Sequence, residues 1–167
     1  MRVLIAAAGR TGFSLHAAVR LCSLIEGAQA VDLCLSSPDP AAYDGVIVGG
    51  SVRMGRLHRK AREFLTLHQK TLLERPLCCF VCCAFADRAQ EYLDKEVPSA
   101  LLDHAEAALW LGGQAPRPGE SGIDRFLSSS INRELAHLET PPAFDPGAAR
   151  QLADAMRSAL ERGGSGR

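Results

Sequence analysis

The chain lacks any hydrophobic run of membrane-spanning length. Its longest apolar stretch, residues 77–86, falls far short of the ~20 residues a bilayer crossing needs. It also lacks net charge, since 19 basic and 19 acidic residues cancel. That balance disfavours a globally basic nucleic-acid binder and a globally acidic protein, and leaves only local patches. Glycine and proline are modest, 15 and 9 of 167 residues, which excludes collagen and low-complexity disorder. No secretory leader is evident. Met1-Arg2 leads straight into an apolar segment with no small-residue cleavage site behind it. The expectation is a cytoplasmic protein.

What is present suits one compact domain. A chain of 167 residues buries roughly 70% of the surface its unfolded form exposes, enough for a core without staples. The six cysteines are Cys22, Cys34, Cys78, Cys79, Cys82 and Cys83. In a reducing compartment they read as buried thiols rather than disulfides. The run Cys78-Cys79-Phe80-Val81-Cys82-Cys83 sits in an apolar strand, where alternate side chains point to opposite faces. A zinc site needs converging ligands and a second Cys/His pair. No metal site is expected.

Short apolar runs alternate with helical patterns. Strands are expected over 2–8, 30–35, 45–50, 77–84 and 107–111. Between them, 11–26 carries Leu15, Ala18, Val19, Cys22 and Ile25 on one helical face, and 57–74 carries Leu57, Ala61, Phe64, Leu65, His68 and Leu72. A weaker helix over 88–104 is interrupted at Pro98. A last helix starts with Asp145 as cap and Pro146 at its first position, and carries Leu152, Ala155, Met156 and Ala159 as its stripe. Gly163-Gly164 ends it, leaving 163–167 as a frayed tail. Residues 114–142 exceed a plain connection and read as an insertion after the fifth strand, with its own helical stripe. Five strands separated by helices mean a parallel, doubly wound α/β sheet covered on both faces, within one domain over 1–162. Its ligand site belongs at the carboxyl ends of the strands.

Three loops fall there. Gly9-Arg10-Thr11-Gly12-Phe13-Ser14 opens the first helix, where unpaired N–H groups and the positive dipole end favour an anion. It is neither a Walker loop nor the dinucleotide glycine fingerprint. A plain strand–turn–helix joint would look similar. The second loop, Gly49-Gly50-Ser51-Val52-Arg53-Met54-Gly55-Arg56-Leu57-His58, has glycines for close backbone approach and apolar Val52 and Met54 to lie on a ring. The third begins at Phe85-Ala86.

With these residues in view, the chain resembles the flavodoxin-like fold, and within it the branch of bacterial quinone-dependent protoporphyrinogen IX dehydrogenases. The match lies in Tyr43-Asp44, the β-branched strand after it, Gly50-Ser51-Val52-Arg53-Met54-Gly55, His58, and the Phe64 and His68 spacing. Ile123-Asp124-Arg125-Phe126 in the insertion adds a weaker one. The resemblance implies strand order 2-1-3-4-5 and an FMN cofactor. It assigns the cofactor to Gly9, Arg10, Thr11, Gly12, Phe13 and Ser14 on the phosphate, and to Gly50, Ser51, Val52, Arg53, Met54, Gly55, Phe85 and Ala86 on the ring. Ala8 and Gly9 depart from the family's hydroxyl pair, and Phe13 from a polar residue. The implied activity oxidises an anionic porphyrinogen in heme biosynthesis and passes electrons to a quinone, peripheral to the inner face of the cell membrane. Arg53 and His58 are the candidates for the chemistry; His16, near the first loop, is a further histidine that could carry protons. A homo-oligomer is compatible with this, and nucleic acid is not expected as a partner.

Charge placement bears on the choice. Residues 51–75 hold seven basic side chains against Glu63 and Glu74, whereas 85–106 hold six acidic ones against Arg88 and Lys95. A basic second loop, with Arg53 and Arg56 in it, suits an anionic substrate or membrane surface. A mobile electron carrier is usually acidic there. The alternatives are such a carrier, without its own substrate, or a flavin-free binding module of the same fold.

Overall fold

The computed structural model describes residues 1–115 and 142–164, with the isolated positions 133 and 136. Most of the expected insertion, including Ile123-Asp124-Arg125-Phe126, lies outside the described residues, as does the end of the tail from 165. In chain order the elements are β1 (Val3–Ala8), α1 (Phe13–Cys22), β2 (Ala28–Asp32), β3 (Gly45–Arg53), β4 (Arg56–Leu57), α2 (Arg59–Leu67), α3 (Gln69–Leu73), β5 (Leu77–Cys82), α4 (Ala89–Glu96), α5 (Ser99–His104), β6 (Ala107–Trp110) and α6 (Pro146–Gly164).

Five strands run parallel in the order β2-β1-β3-β5-β6. This is the expected doubly wound order, with β4 added as a short antiparallel return on the end of β3. The continuous apolar runs reflect burial on both faces. Along β1, Val3, Ile5 and Ala7 join the core under α1 and α6, while Leu4, Ala6 and Ala8 join the core under α2 to α5. The cysteines follow the same alternation. Cys78 and Cys82 face one core with Phe80, and Cys79 and Cys83 face the other with Val81. All four are buried, and burial raises Cys78, Cys79 and Cys82 to about 12 and Cys83 to about 11. Among the described residues no cluster of ligands could hold a metal.

Several boundaries move for identifiable reasons. β2 starts two residues earlier than expected and stops at Asp32, whose carboxylate accepts from the Cys34 N–H at 2.8 Å and turns the chain. Leu35 is consequently exposed. α1 buries Ser14, Ala17, Ala18 and Leu21; of the expected stripe Ala18 is buried, as is Ile25 just beyond the helix, whereas Leu15 and Cys22 are half-buried and Val19 is exposed. The small residues let α1 lie close against both the sheet and α6. The expected single helix over 57–74 is two, broken at His68, whose ring packs on Phe64 at 4.6 Å. Pro98 does separate α4 from α5. Asp145 caps α6 through Oδ1, which accepts from the Gly147 and Ala148 amides at 2.9 and 3.0 Å.

Candidate functional site

β1 and β3 are neighbours, with Ala8 paired to Gly50. The first and second loops therefore leave the sheet side by side. Gly12 sits at φ +81° as the α1 N-cap, a left-handed conformation that glycine adopts at no steric cost. Among the described residues no side chain caps the helix, and its first turn holds no acidic residue. The α1 amide donors can therefore serve an outside acceptor. A side chain placed on Gly12 would meet nothing within 4 Å among the described residues. The Phe13 ring is half-buried against the core under α1 and α6.

Ser14 is the unusual residue of this loop. It is fully buried, yet its Oγ has no hydrogen-bond partner among the described residues. The Cys82 thiol is near enough to be eased by the hydroxyl, but the two do not form a geometrically sound bond. Gly9 explains the crowding. A Cβ there would stand 3.1 Å from Ser14 Oγ and 3.2 Å from Ser51 Oγ, so the hydroxyls of both loops converge on its bare backbone. Arg10 and Thr11 stand exposed at the rim.

The second loop is a hairpin. β3 runs on to Arg53, turns through Met54 at φ +51° and Gly55 at φ +72°, and returns as β4. Two left-handed residues in succession make the tight turn that matches strand twist. Met54 pays for it, being a non-glycine residue in that region and 70% exposed. The Arg56 guanidinium is tied to Glu96 at 3.0 Å. Arg59 and Lys60 are paired with Glu63. The basic face read from the sequence is therefore partly neutralised within the chain.

His58 caps α2, its Nδ1 accepting from the Lys60 N–H at 3.3 Å. Partial burial lowers its pKa. An Nδ1 that accepts leaves the proton on Nε2, which lies 4.0 Å from Cys34 Sγ; that sulfur is 3.9 Å from the Gly9 carbonyl. Cys34 is exposed, and such burial as its sulfur has raises the thiol. Nothing in the residue pattern separates Cys34 from the buried cysteines. In the third loop Phe85 is half-buried under the Arg88 guanidinium, 4.8 Å from its ring centre, and its carbonyl accepts from Cys83 Sγ at 3.2 Å. Ala86 is exposed. His16 is exposed on α1.

A groove of about 420 Å³ opens beside the first loop, lined by Thr11, Gly12, Phe13 and His16 on one side and by Gly113, Gln114 and Phe144 on the other. Its far wall is held by the bridge between Gly112 and Phe144 and by the Gly113 amide on the Ala143 carbonyl at 3.2 Å. The hairpin does not line this groove. The wall at 113–114 and 142–144 was not singled out in the sequence, because it forms only when the two ends of the insertion pair across space.

A family model described as a flavodoxin domain matches residues 4–136. The chain belongs to the flavodoxin-domain family. Among solved structures it is similar to a short-chain flavodoxin associated with a bacterial microcompartment, at TM-score 0.55 and 13% identity over 96% of this chain and 99% of that one. A flavoprotein from Lactobacillus acidophilus, solved in complex with FMN, aligns at TM-score 0.51 and 11% identity, covering 65% of this chain and 91% of its own. Rubredoxin oxygen:oxidoreductase from Desulfovibrio gigas aligns at TM-score 0.52 and 10% identity, covering 95% of this chain; the match spans 37% of that longer protein. At these identities the likeness shows the fold alone. No curated protein matches the chain. No helix among the described residues is long and apolar enough to cross a membrane.

Proposed function

We propose that this flavodoxin-domain protein binds FMN at the mouth of the first loop and acts as a redox flavoprotein. The carrying observation is the start of α1, uncapped and unobstructed among the described residues, with the buried Ser14 hydroxyl, unpartnered among them, behind it. A dianionic phosphate supplies the acceptors that such a helix start lacks. Gly9, Arg10, Thr11, Gly12, Phe13 and Ser14 would hold that headgroup. Gly50, Ser51, Val52, Arg53, Met54, Gly55, Phe85 and Ala86 would border the ring. FMN, when bound, supplies one- and two-electron transfer; the chain binds, orients and screens it.

The finer reading is an oxidoreductase that takes reducing equivalents from an anionic substrate of the porphyrinogen class and delivers them to a quinone. It rests on the resemblance of residues 43–58 and on Arg10 and Arg53 at the two loops. His58 would serve as a proton carrier in the neutral form that its burial favours. One observation favours a second reading, an electron carrier without its own substrate: Arg56, Arg59 and Lys60 are committed to Glu96 and Glu63, which lessens the positive face toward an anion.

Titration with FMN, followed by flavin fluorescence and visible absorbance, tests the shared core of both readings. Saturable quenching is expected, and no binding at about tens of micromolar, a Kd range worth roughly 6–7 kcal/mol, would end them. Anaerobic turnover of protoporphyrinogen with menaquinone then separates enzyme from carrier.

A further inference from the structure

Glu96 is the last residue of α4, and its carboxylate is only 4% exposed. A carboxylate at a helix C-terminus opposes the macrodipole, and burying it adds a desolvation penalty. The fold offsets both with donors drawn from one place. Arg56 Nε approaches the two carboxylate oxygens at 3.0 and 3.2 Å. The Leu57 N–H donates at 3.1 Å. Arg62 Nε lies 3.6 Å away and itself donates to the Leu57 carbonyl at 3.1 Å. Arg56 and Leu57 are the whole of β4. The carboxylate therefore grips the returning arm of the hairpin that carries Ser51 to Gly55.

A second contact falls one helical turn earlier on the same face of α4. Tyr92 Cε1 is 3.9 Å from where a Cβ on Gly55 would stand, so the ring flanks the tip of the turn. Residues four apart on a helix share a face, and here one provides an apolar stop and the other an ionic clasp. α4 itself begins directly after the third loop, at Ala89. Through Tyr92 and Glu96 the second and third loops are joined as one body, and the space between them is set by α4 rather than by the flexibility of either loop. The groups shown at the Glu96 carboxylate all come from residues 56–62, outside the first loop.

We infer that Glu96 is a positioning residue for the ring side of the cofactor seat, fixing the hairpin of Ser51 to Gly55 against the loop that begins at Phe85. This rests on the FMN reading above. It separates the two ends of the ligand: the headgroup seat at α1 does not depend on Glu96, whereas the ring slot does. Glu96→Ala removes every acceptor from the clasp. Glu96→Gln keeps an acceptor for the Leu57 N–H and gives up the charge facing Arg56 and Arg62.

The test titrates FMN and, separately, inorganic phosphate into the wild type and both variants by calorimetry, and records visible circular dichroism of bound FMN as a report on the ring. E96A is expected to weaken FMN about tenfold or more, alter the ring's dichroic bands and leave phosphate affinity unchanged. E96Q should fall between E96A and the wild type on the first two readouts. Wild-type protein that fails to bind FMN overturns the FMN reading and this inference with it. Wild type that binds, with a folded E96A matching it in affinity and spectrum, overturns the inference alone. Equal losses of phosphate and FMN would also overturn it, since the effect would then be general. If E96A does not fold, E96Q decides by the same readouts.

Discussion

Replacing Ser14 by alanine should have opposite effects on the empty and the loaded protein. The hydroxyl is fully buried and has no hydrogen-bond partner among the described residues. An orphaned buried hydroxyl costs about 1–3 kcal/mol, and removing it recovers part of that. The change deletes one oxygen from a crowded corner where Gly9, Ser51 and Cys82 meet, so the cavity left behind is small. The empty S14A protein should therefore be more stable by about 1 kcal/mol, or roughly 2–4 °C in melting temperature for a domain of this size. Loaded with FMN, the hydroxyl would donate to a phosphate oxygen. Losing one charge-assisted bond is worth about 1.5–3 kcal/mol, which weakens FMN roughly 10- to 100-fold. Thermal melts with and without FMN, paired with a fluorescence titration, read both signs. A variant that is less stable when empty and binds FMN as tightly as the wild type would refute the reasoning.

Four further outcomes follow from the same structure. Met54→Gly should stabilise the protein by about 1 kcal/mol, because it relieves a left-handed non-glycine residue at an exposed turn; chemical denaturation measures it. His58 has its pKa lowered in the fold, so the unfolded chain binds the proton more readily. Its contribution is present above the ordinary histidine value and is lost as pH falls below it, when protonation of Nδ1 also abolishes the α2 cap. A melting temperature that drops between about pH 7 and 5 in wild type, and drops less in His58→Asn, is the expected result. The buried thiols act at the other end of the scale. Cys78, Cys79 and Cys82 are raised from 9.0 to about 12, so the fold favours their protonated forms. Stability should be retained below about pH 9 and fall between about pH 9 and 12, by up to about 1.4 kcal/mol per pH unit for each thiol. Alkylation of the native protein at mildly alkaline pH should mark Cys34 first, as peptide mapping would show.

The parts of the fold that rest on local pattern were legible. Continuous apolar runs separated by helical periods specify a parallel sheet with two covered faces, and Asp145-Pro146 marks the start of α6 through the chemistry of its own side chain. Burial of the paired cysteines followed from strand alternation. What failed depended on partners remote in sequence. The buried face of α1 is built from Ser14, Ala17, Ala18 and Leu21 because two layers press on it, and periodicity alone favoured the larger Val19. The break at His68 carries no glycine or proline to announce it.

The candidate site divides the same way. Glycines at 9, 12 and 55 and the run 50–55 announced themselves as backbone meant to approach or turn, because glycine's freedom is a property of the residue itself. Glu96 did not. From the sequence it is one acid among several in a weak helix, and only the folded chain brings Arg56, Leu57 and Arg62 to its carboxylate. The layers and the glycine-lined mouth could be read from the residues, since each follows from short-range sterics and the period of apolar residues; the strand order came only with the family resemblance. Only in the folded chain is Ser14 left without a partner among the described residues, the second loop made a hairpin, and the Leu57 amide met by a carboxylate 39 residues away, because these depend on distances that close only when the sheet is assembled.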